Sequence, residues 1–323
     1  MSFDTYAGST PLPNIHHAIR PGDGDAGRVI FAARHNVELD AALRSIEGFE
    51  ECERRTADLV EAHEHWRTQL PSVDDDAQTA LLEALDAGKA KEMPSVLAKA
   101  RAEHDAVVQA MVVSTQTASK LVSDQCNRVR GGAERALAIL DGRVREVVAA
   151  LRDNSARNVP NAETAIAREC VDEWPAANGL RDDVRQIHAA QSVIMRAFFP
   201  ELEELRQDPQ RVILLEVDDW QAIDERLPQI VRHGGIWRSD KHKGKSEDLL
   251  ERWQVPWPAE PDQRVDWLIE NHPDAVVVPS AEKVRAAATE LQRRAARRTP
   301  TGEETEPQSM FDVPLNRRAR SLR

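Results

Sequence analysis

Apolar and small residues recur every three or four positions over residues 93–153, which is the spacing of an amphipathic α-helix. The stripe falls into two runs offset by one position: Met93, Leu97, Ala100, Val107, Met111, Ala118 and Leu121, then Cys126, Val129, Ala133, Ala136, Leu140, Val144, Val147 and Leu151. An unbroken helix of this length would extend about 90 Å. The pattern therefore predicts a rod around which the rest of the chain is arranged.

The pair Gly131-Gly132 interrupts this stripe, and each glycine costs about 1 kcal/mol relative to alanine in a helix interior. Either one helix bends at the pair, or two helices turn back there as a hairpin. The isolated position of Gly142 and the charged residues around the pair favour the bent helix. The apolar side is either covered by other helices of the chain or forms a self-associating coiled coil; the broken heptad register favours the first alternative.

Similar periodicity predicts further helices over residues 36–70, 74–88, 161–174 and 180–206, the last with a kink at Pro200. Together with the rod they predict a helical bundle over residues 35–206. Residues 1–34 are rich in proline and glycine and have no periodicity, so we expect an extended N-terminal arm there.

Residues 208–298 differ in character from the bundle. The runs 212–217 and 275–278 are short and rich in β-branched residues, which predicts two buried strands with helices between and after them. Five of the seven tryptophans lie here and favour a compact core over a recognition surface: Trp220, Trp237, Trp253, Trp257 and Trp267. The predicted fold is thus mainly α: an elongated helical bundle on a long central helix, a small Trp-rich α/β module, and disordered termini including a basic tail over 299–323.

Composition narrows the class of protein. Charged residues make up 30% of the chain and the net charge is −12, but residues 281–323 carry ten Lys/Arg against six Asp/Glu. The sequence has no run of eighteen apolar residues, so it predicts no membrane span. The three cysteines form no C-x-x-C pair, which favours the cytoplasm. No nucleotide, metal or nucleophile motif is present, so we expect no metal and no cofactor and lean against an enzyme.

Two segments are candidates for binding. The first follows Gly234-Gly235, where a tryptophan and basic residues suit phosphate or single-stranded nucleic acid: Trp237, Arg238, Lys241, Lys243 and Lys245. A solvated loop is the alternative. The second is an apolar island in the basic tail, which suits a partner-docking peptide: Met310, Phe311, Val313 and Leu315. This island resembles the bacterial sliding-clamp-binding peptide at Met310-Phe311, although Gln308 is one residue too close and Pro307 stands where the glutamine belongs.

These features predict a non-enzymatic helical structural, assembly or adaptor protein that acts through protein–protein contacts, self-association included. The acidic helical body with a basic C-terminal end resembles phage scaffolding and head-assembly proteins in general layout, which implies a phage or mobile-element type. The alternative is a nucleic-acid-associated factor that uses the basic loop 236–245 and the basic tail.

Overall fold

The computed structural model describes residues 14–20, 22, 24–157, 159, 161–237 and 254–296. Within these ranges the chain forms thirteen α-helices: α1 Ile15–Ala18, α2 Asp25–Ala33, α3 Val37–Arg44, α4 Phe49–Asp86, α5 Met93–Gly131, α6 Ala133–Asp153, α7 Ala162–Ala167, α8 Trp174–Phe198, α9 Glu203–Arg206, α10 Trp220–Ile223, α11 Leu227–Trp237, α12 Pro261–Asn271 and α13 Ala281–Ala296. Four 3-10 turns lie between them: Ala90–Glu92, Pro200–Leu202, Val212–Leu215 and Pro273–Ala275.

The prediction of a mainly α fold is confirmed, whereas the predicted α/β module is wrong for the described residues. The first expected strand is the 3-10 turn Val212–Leu215. Among the described residues, the only β-type pairing is one isolated antiparallel bridge between Val217 and Val276. All four residues of the 3-10 turn are buried. A short apolar run indicates that its residues are buried, and here they are buried among helices without forming a strand.

The long helix is present and is interrupted once, at Gly132, where φ is −96° and ψ is 4°. Gly132 N donates to Arg128 O at 2.7 Å and Ala136 N donates to Gly132 O at 2.9 Å, so the helical hydrogen-bond pattern continues on both sides. Moreover, α5 packs along α4 whereas α6 packs on α8 and α3. The chain therefore has the bent helix and not the hairpin at this position.

Two predicted helix boundaries are wrong. The helix expected over 36–70 is divided by a turn at Gly48, whose φ of 77° favours glycine. Helix α4 continues through Pro71 to Asp86, so the helix expected over 74–88 is part of α4. Proline removes one backbone hydrogen bond, but packing along α5 holds both sides of it in one helix.

The predicted extended N-terminal arm is wrong over residues 25–33, which form α2. Ala26, Val29, Ile30 and Ala33 are buried at helical spacing, but the preceding prolines and glycines masked that pattern in the sequence. Residues 1–13 lie outside the described part of the chain. Trp174-Pro175 likewise begins α8 instead of ending a helix, since proline in the first turn leaves no intrahelical bond unmade.

A single hydrophobic core runs through α2, α3, α6, α8, α12 and α13; we call the described residues of 24–46 and 132–296 the body. The core crosses the predicted boundary near residue 207 without a break. Trp220 and Trp257 are both buried in it, and Trp257 Nε1 donates to Pro209 O at 2.9 Å. For these two tryptophans the expected role in the core is confirmed.

A buried ion pair joins the 3-10 turn Val212–Leu215 to α12. Arg264 Nε donates to Glu216 Oε2 at 2.8 Å, and Arg264 Nη2 donates to Glu216 Oε1 at 2.7 Å. Arg264 Nη1 donates to Ala259 O at 2.9 Å. Both charged side chains are buried, so each depends on the other for compensation.

We predict that Arg264→Met destabilises the protein by about 3–5 kcal/mol, because it leaves the Glu216 carboxylate buried without a partner. The double variant Arg264→Met with Glu216→Leu should recover part of this loss, since it removes both charges. Arg293→Met, which breaks an exposed pair with Glu290, is the control and should change little. Urea unfolding measures all three. Equal loss in the single and double variants would show that the pair is not coupled.

The bend of the long helix is fixed by a close approach to the turn before α4. A Cβ atom built on Gly132 would lie 2.7 Å from Ile46 Cγ2 and 2.8 Å from Ile46 Cδ1. Ile46 is itself buried and branched at Cβ, so it has little freedom to withdraw. Arg128 lies over Gly48 on the same side and donates to Glu47 O at 2.8 Å.

We predict that Gly132→Ala lowers the melting temperature, because overpacking against Ile46 costs about 1–3 kcal/mol and outweighs the gain in helix propensity. Gly142→Ala is the matched control in α6. A Cβ at Gly142 meets no atom within 4 Å, so this variant should gain up to about 1 kcal/mol. A rise in melting temperature for both variants would mean that the contact with Ile46 does not constrain the bend.

Candidate interaction surface

Helices α4 and α5 form an antiparallel pair joined by the 3-10 turn Ala90–Glu92, and we call this pair the long hairpin. With 38 and 39 residues, each helix is about 57 Å long. Contacts with α1, α2 and α3 hold its base against the rest of the molecule. The hairpin is the longest element available for contact with another protein in the described chain.

The half of the long hairpin next to the body is well packed. Its buried residues include one polar pair, in which His63 Nδ1 lies 3.0 Å from Ser114 Oγ. Ser114 Oγ also donates to Met111 O at 2.9 Å, so the hydroxyl accepts a hydrogen bond from His63 Nδ1 and both groups are paired. Among the side chains that the structure describes, the buried ones nearest the turn Ala90–Glu92 are Leu70 on α4 and Met111 on α5.

Beyond that point the two helices cover each other only partly. We call residues 78–110 the hairpin tip; none of its described side chains is buried. Leu82 is 61% exposed and Leu85 is 49% exposed. Apolar side chains of α5 in the tip, such as Met93 and Val96, are half-buried. Two helices alone leave part of a wide apolar stripe in water, so the tip has an apolar side without a cover in the described chain.

The charges of the hairpin tip are unevenly distributed along the chain. Residues 78–88 carry Glu83 and Asp86 and no lysine or arginine. Residues 89–101 carry one acidic residue, Glu92, against four basic ones: Lys89, Lys91, Lys99 and Arg101. Over residues 78–110 the five acidic and four basic residues nearly cancel, in a chain of net charge −12. The tip therefore has an acidic strip over residues 78–88 and a basic strip over residues 89–101, followed by Glu103 and Asp105. Lys99 of the basic strip lies 3.8 Å from Glu103.

Of the binding residues predicted from sequence, the described part of the chain includes Trp237. Trp237 is the last residue of α11, and Gly234-Gly235 lie inside that helix instead of opening a loop. Arg238, Lys241, Lys243 and Lys245 lie outside the described residues. The same holds for the tail island: Met310, Phe311, Val313 and Leu315. Nucleic-acid binding through the loop and docking through the tail therefore stay predictions.

Sequence reasoning missed the exposed leucines of the tip although a signal for them exists. The segment Leu81-Leu82-Glu83-Ala84-Leu85 places apolar residues at adjacent positions, so its stripe is wider than one partner helix covers. A stripe of that width on a two-helix hairpin indicates a further contact. The periodicity of residues 93–153 alone did not show that, in the described chain, α4 would be the one long helix packed along α5 at the tip.

The described residues hold no group of three or more His, Cys, Asp and Glu side chains placed to share a metal ion. His63 and His65 lie on different sides of α4, one buried and one exposed, because residues two apart on a helix point in different directions. No described helix has the combination of length and apolar character that a membrane span requires. Comparison with protein-family models, curated proteins and solved structures gives no match.

Proposed function

We propose that this protein is a non-enzymatic assembly protein of the cytoplasm, and that its hairpin tip pairs with the tip of a second copy of the chain. The observation that carries the proposal is the exposure of Leu82 and Leu85 on a segment without a buried side chain among its described residues. Pairing of two tips makes a four-helix arrangement in which these leucines face apolar side chains.

The distribution of charge on the tip favours a second copy as the partner. When two tips lie antiparallel, the acidic end of α4 in one copy lies beside the basic start of α5 in the other, and the contact occurs twice by symmetry. A net charge of −1 over the tip also keeps repulsion between copies small, although the whole chain carries −12. A partner of one charge sign would match only one of the two strips.

The size of the apolar surface sets the strength of this contact. Full burial of a leucine contributes about 1.5–3 kcal/mol, and four leucines that are about half exposed contribute about 3–6 kcal/mol per pair of tips. Association itself opposes this by several kcal/mol, so the charged strips must supply the remainder. The proposal therefore describes a weak pairing that depends on protein concentration, as suits subunits that assemble and separate.

We predict that sedimentation velocity shows a monomer–dimer equilibrium between about 1 and 100 μM protein. Leu82→Glu with Leu85→Glu should leave a monomer over the whole range, because two charges then face the partner. The matched control is Ile166→Glu with Val171→Glu, two body residues that are 65% and 49% exposed. This control adds the same charge at the same exposure and should keep the dimer.

A charge exchange tests the antiparallel arrangement separately. Lys91→Glu with Lys99→Glu should weaken the dimer, and adding Glu83→Lys with Asp86→Lys should restore it, because the two strips are then exchanged. A wild-type chain that stays monomeric at about 100 μM contradicts the proposal. A dimer that survives the change at Leu82 and Leu85 but not the change at Ile166 and Val171 would place the interface on the body.

A further inference from the structure

An open pocket of about 830 Å³ lies between α1, the segment that follows it, and one side of α2. The side chains of its lining that matter here are His16, Arg20, Arg28, Phe31 and Arg34. Three of these five are arginines, and the described lining contains no carboxylate. The pocket belongs to none of the elements that form the hairpin tip, so it is a separate surface of the molecule.

Phe31 is not needed for the packing of α2. This helix buries another side, made of Ala26, Val29, Ile30 and Ala33, whereas Phe31 is 58% exposed. The other phenylalanines of the described chain are buried or half-buried. A single exposed apolar residue is common on protein surfaces, but an exposed aromatic ring within a pocket lined by arginines is not explained by folding.

The ring of Phe31 is held in place by its neighbours on α2. The guanidinium carbon of Arg34 lies 5.9 Å from the centre of the ring, which is the range of a cation–π contact. The ring of His35 meets it edge-on, at a distance of 5.6 Å between centres and an angle of 68°. Phe31 therefore offers a positioned aromatic surface that stays accessible to a ligand.

The arginines of the pocket are exposed, and two of them have no acidic partner. Among the described residues, neither Arg20 nor Arg34 forms an ion pair. Arg28 Nη1 lies 4.0 Å from Asp25 Oδ1, and both side chains are more than half exposed, so this pair is weak. Over residues 14–36 the sequence has three arginines against two aspartates, in a chain of net charge −12. The pocket is thus locally basic.

His16 connects the α1 side of the pocket to the long hairpin. His16 Nε2 lies 3.2 Å from Glu64 Oε1 on α4. The same carboxylate faces Arg67, whose Nη1 lies 3.6 Å from Glu64 Oε2. Glu64 therefore has a cationic partner of its own on α4, and it leaves the charges of the pocket arginines available to a ligand.

We infer that this pocket binds a single-stranded segment of nucleic acid, with a base stacked on Phe31 and phosphates paired with Arg20, Arg28 and Arg34. An accessible aromatic ring beside basic side chains is the combination that such strands bind. Arg28 and Arg34 are about 9 Å apart along the axis of α2, which suits successive phosphates better than one. A duplex keeps its bases stacked inside, so it offers no base to Phe31. The contact needs no second copy of the chain.

Fluorescence anisotropy of the full chain with a labelled thymidylate strand of about 12 nucleotides tests this inference. We expect a dissociation constant of about 1–100 μM at about 50 mM salt. An abasic strand of the same length has the same phosphates but no base, so it should bind about tenfold more weakly. With three phosphate contacts, the logarithm of the binding constant should fall with the logarithm of salt concentration with a slope of about −2.

Variants of exposed residues assign the binding to this pocket. Phe31→Ala should bind the thymidylate and abasic strands equally, whereas Phe31→Trp should keep the preference for bases. Arg20→Gln with Arg34→Gln should weaken both strands and reduce the salt slope by about 1.4. The controls are Val37→Ala, which is 76% exposed and outside the lining, and Arg293→Gln on α13. Both should bind like the wild type.

Three results would overturn the inference. The first is no binding at about 100 μM protein, and the second is equal affinity of the wild type for the thymidylate strand and for either the abasic strand or a duplex of the same length. The third is an unchanged preference for bases in Phe31→Ala, which would place any contact with nucleic acid elsewhere on the chain. A polyglutamate peptide that binds as tightly as the strand would identify a surface for acidic peptides instead. Circular dichroism checks that each variant is folded.

Discussion

The structure depends on how the apolar side of one long helix is covered along its length. Over α6 the body surrounds this side, and every member of the predicted stripe from Val129 to Leu151 is buried. Over the tip, α4 is the only described helix beside α5, and the stripe residues Met93, Ala100 and Val107 are half-buried. Removing apolar surface from water is the main favourable contribution to folding, so an apolar segment with partial cover favours any partner that completes it.

The bend at Gly132 marks the change from cover by the body to cover by α4. The side chain of Ile46 occupies the space that a Cβ at Gly132 would need, and Arg128 lies over Gly48 beside it. These contacts join the base of the long hairpin to α3 and the body. Because interiors are close-packed, a small change at this position should alter the direction of the whole hairpin. The glycine pair that looks like a defect in the sequence therefore serves to position the hairpin.

Buried polar groups in the body are of two kinds. Some are paired within the chain, as Arg264 is with Glu216. These pairs fix how neighbouring segments are aligned, because each group is costly to bury without its partner. His188 Nε2 is of the second kind, since it is buried and has no hydrogen-bond partner among the described residues. The same holds for Trp174 Nε1, Arg181 Nε and Arg185 Nε.

Sequence reasoning predicted the long helix because its signal is repeated over sixty residues and does not depend on other parts of the chain. It failed at Val212–Leu215, because a short apolar run reports burial and cannot distinguish a strand from a tightly packed turn. It failed at α2, where prolines and glycines just before the helix obscured four buried positions. The cleft lined by His188, Arg206 and Arg264 could not be predicted, because these residues come together only through the packing of separate helices.

Hydrogen exchange along α5 and α6, measured at a concentration where the chain is monomeric and again where it is dimeric, tests the central claim most directly. The account predicts slow exchange of amides 133–151 at both concentrations, because the body covers them. It predicts fast exchange of amides 95–108 in the monomer and slower exchange in the dimer, because only a second tip covers that segment. Equally slow exchange along both helices in the monomer would contradict the uneven cover on which the account depends.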